Sequence, residues 1–286
     1  MKKIILTAAM AISTLGLFAQ GSDQLISKKG EMYLPESGDW AISFNAVPFL
    51  NYFGAFLSQN GAASPGATFL NGNQTIMGKY FVDNQTAYRG IIRLGIDHSG
   101  MDNLVTDETY TGTGVPPTVT DHWSYSNHFI GLGAGMEKRR GKTRLQGYYG
   151  GELMFFLAGS SNTYTYGNAL NSTYPAALST QWPSTTASVV SSRTTQNDMG
   201  STFGINLLGF IGFEYFFAPK VSVGAEYTWG LMFSSTGQGT MTTEAYTSSD
   251  QTITTHTGGT SSFSFDNGIN SAFGNGGGSL YINFHF

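Results

Sequence analysis

His122 and Ser124 are the first residues whose types and spacing suggest chemistry. An imidazole two residues from a hydroxyl, with Asp121 or Glu137 as a third group, has the composition of a hydrolase site. There a base must reach the hydroxyl and an acid must orient the base. The run His122-Trp123-Ser124-Tyr125-Ser126-Asn127 does not supply the acid at a matching spacing, so His122 reads as a loop residue near a rim. Gly131-Leu132-Gly133-Ala134-Gly135 has the glycines of a phosphate cradle, but that fingerprint must follow a strand and open a helix. Here it lies within strand-like sequence, where glycines admit an aromatic neighbour or allow curvature. His98, His128, His256 and His285 lack metal-ligand spacing, and Asp102, Asp107, Glu108 and Asp121 lack the glycine-anchored calcium loop. No catalytic, cofactor or metal site is assigned, and a non-enzymatic protein is expected.

The elements that carry these residues read as strands. Trp40, Ile42, Phe44 and Ala46 alternate with Ala41, Ser43, Asn45 and Val47, the period-two pattern of a strand with two unlike faces. Seven more such segments follow, at 74–82, 88–97, 127–137, 144–158, 202–215, 221–233 and a last one ending at Phe286. The 202–215 segment is apolar on both faces around Leu207, Leu208 and Phe210, which leaves its facing open. Connections alternate long (54–73, 98–126, 159–200, 234–270) and short (83–86, 138–142, 216–220). The sequence therefore predicts an all-β, eight-stranded antiparallel up-and-down transmembrane β-barrel with short periplasmic turns and long extracellular loops.

Composition points the same way. Charged residues make up only 11% of the 286, while Gly (38), Phe (21) and Tyr (15) are abundant, which is unlike a surface facing water. Cysteine is absent, so neither disulfides nor thiolate metal sites contribute. Met1-Lys2-Lys3 followed by an apolar run to Phe18 reads as a signal peptide over residues 1–20. Residues 21–39 form a polar periplasmic segment and 40–286 the barrel. The net charge of −4 excludes the basic footprint of a nucleic-acid partner.

The hairpin Glu214-Tyr215-Phe216-Phe217-Ala218-Pro219-Lys220-Val221-Ser222-Val223-Gly224-Ala225-Glu226-Tyr227 and the terminal Tyr281-Ile282-Asn283-Phe284-His285-Phe286 resemble the eight-stranded outer-membrane barrels related to outer membrane protein A. The segment from Lys29-Gly30-Glu31 to Leu34-Pro35-Glu36-Ser37-Gly38-Asp39-Trp40-Ala41-Ile42 resembles small barrels of the Bacteroidota. The resemblance implies a Gram-negative outer membrane with both termini periplasmic, contact with its lipids and lipopolysaccharide, and insertion by the barrel-assembly machinery. Phe284 and Phe286 would serve as the assembly signal. The soluble wall-binding domain of larger relatives is not found in this sequence.

Within the barrel, the apolar face of each strand is taken as lipid-facing. The opposite parity then collects a lumen charge network of Lys79, Arg89, Arg93, Arg144, Glu152 and Glu226, with Gln146, Tyr148, Asn206 and Tyr281 among them. Counting from the short turns places Lys79, Arg93, Tyr148, Glu226 and Tyr281 at one depth. Trp40, Tyr52, Tyr88, Tyr149, Tyr227 and Trp229 are expected as interfacial aromatics. The function expected is envelope integrity or contact with a membrane-protein or surface partner through the loops. Two alternatives stand beside it, a narrow channel for small or apolar solutes and a lipid-modifying hydrolase.

Overall fold

The computed structural model describes residues 25–46, 75–266 and 277–286. The expected signal peptide, Tyr52 and the 54–73 connection lie outside the described residues. Thirteen strands run in chain order as β1 (Trp40–Asn45), β2 (Thr75–Asp83), β3 (Thr86–Thr106), β4 (Thr118–Arg140), β5 (Leu145–Thr165), β6 (Ala177–Thr180), β7 (Ala187–Val190), β8 (Ser192–Ala218), β9 (Val221–Thr236), β10 (Gly239–Tyr246), β11 (Asp250–Thr257), β12 (Thr260–Asp266) and β13 (Gly277–His285).

Eight of these close a ring. Its order is β1, β2, β3, β4, β5, β8, β9, β13 and back to β1, with every pairing antiparallel. Closure is made by β1 and β13, where Trp40 and Phe286 exchange backbone hydrogen bonds at 2.8 Å in both directions. The eight expected strands are the eight of the ring, but three of the connections expected as loops are largely strand. The β3/β4 ladder pairs without interruption from Thr86↔Lys138 to Thr106↔Thr118, so the connection expected over 98–126 shrinks to residues 107–117. The added stretches, 98–106 and 118–126, mix polar residues with Met101, Leu104, Val105, Val119 and Trp123 and carry no continuous apolar face. Val105, Thr106, Thr118, Val119, Thr120, Trp123 and Tyr125 are of the β-branched and aromatic types enriched in strands, and the ladder continues through them.

Further strands dress the end of the ring opposite the short turns. β10 pairs with the first part of β8 and β11 pairs with β10, while β6 and β7 form a separate hairpin. The switch of β8 from β9 to β10 occurs at Gly200, whose φ is +78° and whose missing side chain lets the Gly237 carbonyl approach. β12 and β13 pair with successive stretches of β9, at Gly230–Thr236 and Val221–Thr228. They occupy one position in the ring and are separated in sequence by residues 267–276, which lie outside the described set.

Burial assigns the two faces of the ring. Along β8 the even residues from Asn206 to Phe216 turn inward and the odd residues from Phe203 to Phe217 turn outward, which settles the facing left open by the sequence. The outward residues are apolar or glycine over a broad belt, from Tyr88 to Ile96 on β3, Ile130 to Met136 on β4 and Leu145 to Leu157 on β5. Leu94 and Ile96 are 61% and 69% exposed. The inward residues include most of the buried charges of the chain.

Candidate functional site

The ring interior gathers Lys79, Arg89 and Arg139 with Glu137, Glu152, Glu214 and Glu226, all buried. Arg89 donates to both carboxylate oxygens of Glu226, at 2.9 and 3.1 Å, and lies 3.6 Å from Glu152 and 4.0 Å from Glu137. Its guanidinium carbon stands 3.8 Å from the centre of the Phe210 ring. The rung that makes this possible is Arg89, Gly135 and Glu152 on β3, β4 and β5. A Cβ on Gly135 would stand 2.6 Å from both the Glu152 Cβ and the Gly151 carbonyl, so only glycine lets Arg89 and Glu152 meet across β4.

Nearer the short turns the cluster continues through Glu137. Lys79 pairs with Glu137 at 2.9 Å beside the Tyr148 ring, and Arg139 bridges Glu137 (3.1 Å) and Glu214 (2.6 Å) between the rings of Phe81 and Phe216. Glu214 also accepts from Ser222 and from Asn283 Nδ2 at 3.0 Å, and its Oε1 is 3.0 Å from His285 Nε2. Ser222, His285 and Glu214 are the residue types of a hydrolase triad. Here, however, the serine and the imidazole Nε2 both sit on the same carboxylate oxygen, with Ser222 Oγ and His285 Nε2 a further 3.5 Å from each other, so the imidazole is not interposed between hydroxyl and acid as a triad requires. Each of these three cations and four carboxylates has an ion-pair partner, which offsets part of the cost of burial, while Arg89 Nε and Glu152 Oε2 make no hydrogen bond.

Of the six expected network residues, Lys79, Arg89, Glu152 and Glu226 are brought together here. Arg93 has the expected inward parity but lies farther from the short turns, with its guanidinium 4.5 Å from the Phe129 ring. Its expected place beside Glu226 is taken by Arg89. Arg144 precedes β5 instead of beginning it and lies 3.7 Å over the Tyr33 ring at the rim. Glu137, Arg139, Glu214 and His285 were not expected in the network. Arg139 belongs to β4, which runs to Arg140, so the turn comprises residues 141–144 and not 138–142.

At the short-turn end the N-terminal segment crosses the rim. Gly38 donates to the Phe81 carbonyl at 2.8 Å, and Lys220 donates to Asp39. Burial would raise the Asp39 carboxyl, but the Lys220 hydrogen bond, the Glu36 amide and the charges of Lys220 and His285 together hold it below its usual range. Trp40, Tyr88, Tyr149 and Tyr227 are exposed on the outward face, and half-buried Trp229 lies against Tyr227 there. Phe284 and Phe286 also face outward.

At the opposite end the β6/β7 hairpin is clamped to β3 and β4. Asp121, fully buried, accepts from the Thr180 amide and hydroxyl and from the Gly167 amide. Arg193 donates to Ser179, the Asn168 carbonyl and Glu244, with its guanidinium 4.3 Å from the Tyr166 ring. Burial pushes the Tyr166 hydroxyl up to about 12, against the opposing charge of Arg193. The acidic residues considered for a cation do not gather. Asp102 holds His122, Asp107 accepts from Thr109 in its own turn, and Glu108 accepts from the Leu178 amide.

His122 itself pairs with Asp102, its Nδ1 2.5 Å from the carboxylate, and not with Asp121 or Glu137, which face inward. Its ring lies over Gly100, the register partner of Ser124. No family model and no curated protein matches the chain.

Proposed function

We propose that the chain is an outer-membrane β-barrel whose lumen is closed by its charge cluster and whose β-rich far end meets the cell's surroundings. One observation carries this reading, the inversion of the two faces of the ring. A protein in water hides apolar residues and exposes charge, whereas here the charges are inside and the belt outside carries none among the described residues. Strands of about 9–11 residues tilted across a bilayer are what such a belt requires. On β3 the belt runs from Tyr88 to Ile96 before the outward residues become polar at His98.

Side chains fill small barrels of this size, and Arg89, Glu226, Lys79 and Glu137 are held to one another instead of lining a pore. The role is therefore structural or adhesive, carried by the clamped far end. Two measurements test it. Reconstituted protein should show no steady conductance in planar bilayers, and cysteine introduced as Thr247→Cys should react with an impermeant reagent on intact cells while Gly141→Cys should not. Steady conductance would replace the closed lumen with the channel reading, and labelling at 141 alone would invert the orientation.

The Asp102 and His122 pair favours a second reading, that of a lipid-directed hydrolase. An acid fixing Nδ1 leaves Nε2 to act as base, and Ser124 lies two residues along the same outward face. A serine-reactive phosphonate should label Ser124 if that reading is right, and wild-type protein that resists labelling excludes it.

A further inference from the structure

We infer that the turn between β4 and β5 binds the phosphate headgroups of anionic phospholipids in the leaflet that meets the short-turn end of the ring, an inference that rests on the barrel reading above. Five cations fall within seven residues here, Lys138, Arg139, Arg140, Lys142 and Arg144. Arg139 turns inward and is spent on Glu137 and Glu214. The alternation that sends it inward sends Lys138 and Arg140 outward, on the face of Ala134 and Met136, immediately past the edge of the apolar belt.

The surroundings suit a phosphate. Arg140 and Lys142 are exposed, and the register partner of Arg140 is Gly147, which puts no side chain beside the guanidinium. Lys138 is half-buried between Thr86, to whose hydroxyl it donates at 2.8 Å, and its register partner Tyr149. On the adjoining turn the Asp83 carboxylate accepts from the Gln85 amide at 2.7 Å and from Thr86 and lies within electrostatic reach of Lys138, so it offsets part of that lysine's charge and leaves Arg140 and Lys142 as the freer cations. A lysine or arginine at the end of an apolar stretch lays its methylenes along acyl chains and its charge among the headgroups, and a guanidinium can hold two phosphate oxygens at once. The other edge of the belt differs. Among the described residues, the outward positions of β3, β4 and β5 beyond it hold no lysine or arginine, and Arg193 is buried. Cationic charge on this part of the wall is confined to one end.

The test uses the full chain folded in detergent with equal amounts of phosphatidylcholine and phosphatidylglycerol, and native mass spectrometry to count which lipid is retained. Wild type should prefer phosphatidylglycerol, and the preference should fall by about fivefold for each cation removed in Lys138→Gln, Arg140→Gln and Lys142→Gln. Added salt should weaken it. An unchanged thermal midpoint in the triple variant keeps the comparison free of misfolding, and single variants replace it if the midpoint falls. Equal retention of both lipids by wild type, or a preference that survives the triple change, overturns the inference. So does a triple change that abolishes heparin binding but leaves lipid preference intact, since the turn would then serve a soluble polyanion. Insertion into phosphatidylcholine vesicles, read by protease protection, is scored separately. Protein that does not insert refutes the barrel itself, whereas protein that inserts without a lipid preference refutes only this site.

Discussion

Replacing Glu226 with Gln should destabilise the folded chain through Arg89. The pair is two-pronged, at 2.9 and 3.1 Å, and its side chains are 1% and 3% exposed, so water cannot screen the cation once the carboxylate charge is gone. Removing one partner of a buried pair costs about 3–5 kcal/mol. Glu152 at 3.6 Å and Glu137 at 4.0 Å still face Arg89 and should hold the loss near the lower limit, about 3 kcal/mol. At about 2–4 °C per kcal/mol for a chain of this size, the unfolding midpoint in detergent should fall by about 6–12 °C. Adding Arg89→Met should restore part of the loss, because a thioether chain can keep the place against Phe210 without an uncompensated charge. Arg93→Gln serves as the control. Its guanidinium packs on Phe129, so its effect should add to that of Glu226→Gln without coupling. A neutral Glu226→Gln, or coupling at Arg93 as large as at Arg89, would refute the reasoning and return the interior to a solvated pore.

Three further outcomes are expected. Gly135→Ala should drive a methyl into Glu152 and the Gly151 carbonyl and lower stability by about 1–3 kcal/mol, seen as a lower midpoint, with Gly90→Ala, where the added carbon meets nothing within 4 Å, as the neutral comparison. Arg193→Met should loosen the β6/β7 hairpin without lowering the ring's midpoint, because it removes the donors to Ser179 and the Asn168 carbonyl; hydrogen exchange over residues 177–190 should accelerate selectively. The Asp39 carboxyl is depressed when folded, so its stabilisation is complete above the ordinary aspartate value, about 3.9, and is lost as pH falls through the lower folded value. Protection of the Gly38 amide, corrected for intrinsic exchange, should hold from pH 7 to about 4 and decline below it. Protection that persists to pH 2 would show that Lys220 and Asp39 do not hold the segment.

The interior was legible in the sequence where an apolar residue and a charge alternate, as around Lys79, Arg89, Glu152 and Glu226. It was illegible where that contrast fails. Glu137 and Arg139 continue the inward parity of Gly131, Gly133 and Gly135, but the run from Lys138 to Lys142 has the composition of a turn. Glu214 sits in a segment apolar on both faces, and its facing follows only from the pairing of β8 with β5 and β9. Arg93 failed for another reason. Counting residues from each turn assumes that neighbouring strands start level, whereas strands in a closed ring are staggered. Arg89 lies three residues into β3 and Glu226 five into β9, yet these two meet. The far-end strands were missed because threonine and serine on both faces give no periodic signal, although their backbones pair as well as any.

The same alternation explains why so costly an interior is kept. An apolar lumen would fill the ring as well, and buried ion pairs are seldom more stabilising than the hydrophobic groups that replace them. But a strand apolar on both faces, as β8 nearly is, has no preferred side. A slip of one residue exchanges every inward side chain for an outward one. With Lys79, Arg89, Glu152 and Glu226 in place, that slip would carry charges into the belt beside Ile92, Leu132 and Leu153 and bring aliphatic groups against Arg139 and Glu137. On the proposed membrane reading, a lysine or arginine at the middle of a lipid-facing strand costs about 2–4 kcal/mol and a carboxylate less, and several strands would incur such costs together. In this reading the cluster selects one register and contributes less to stability than to the choice between facings. A version with Lys79, Arg89, Glu137, Glu152 and Glu226 all replaced by apolar residues of similar volume should then keep a midpoint close to wild type but fold into more than one species, seen as split bands on unheated gels and as cysteine reagents reaching both parities of β3. A single species with wild-type labelling would show that the outward belt alone sets the register.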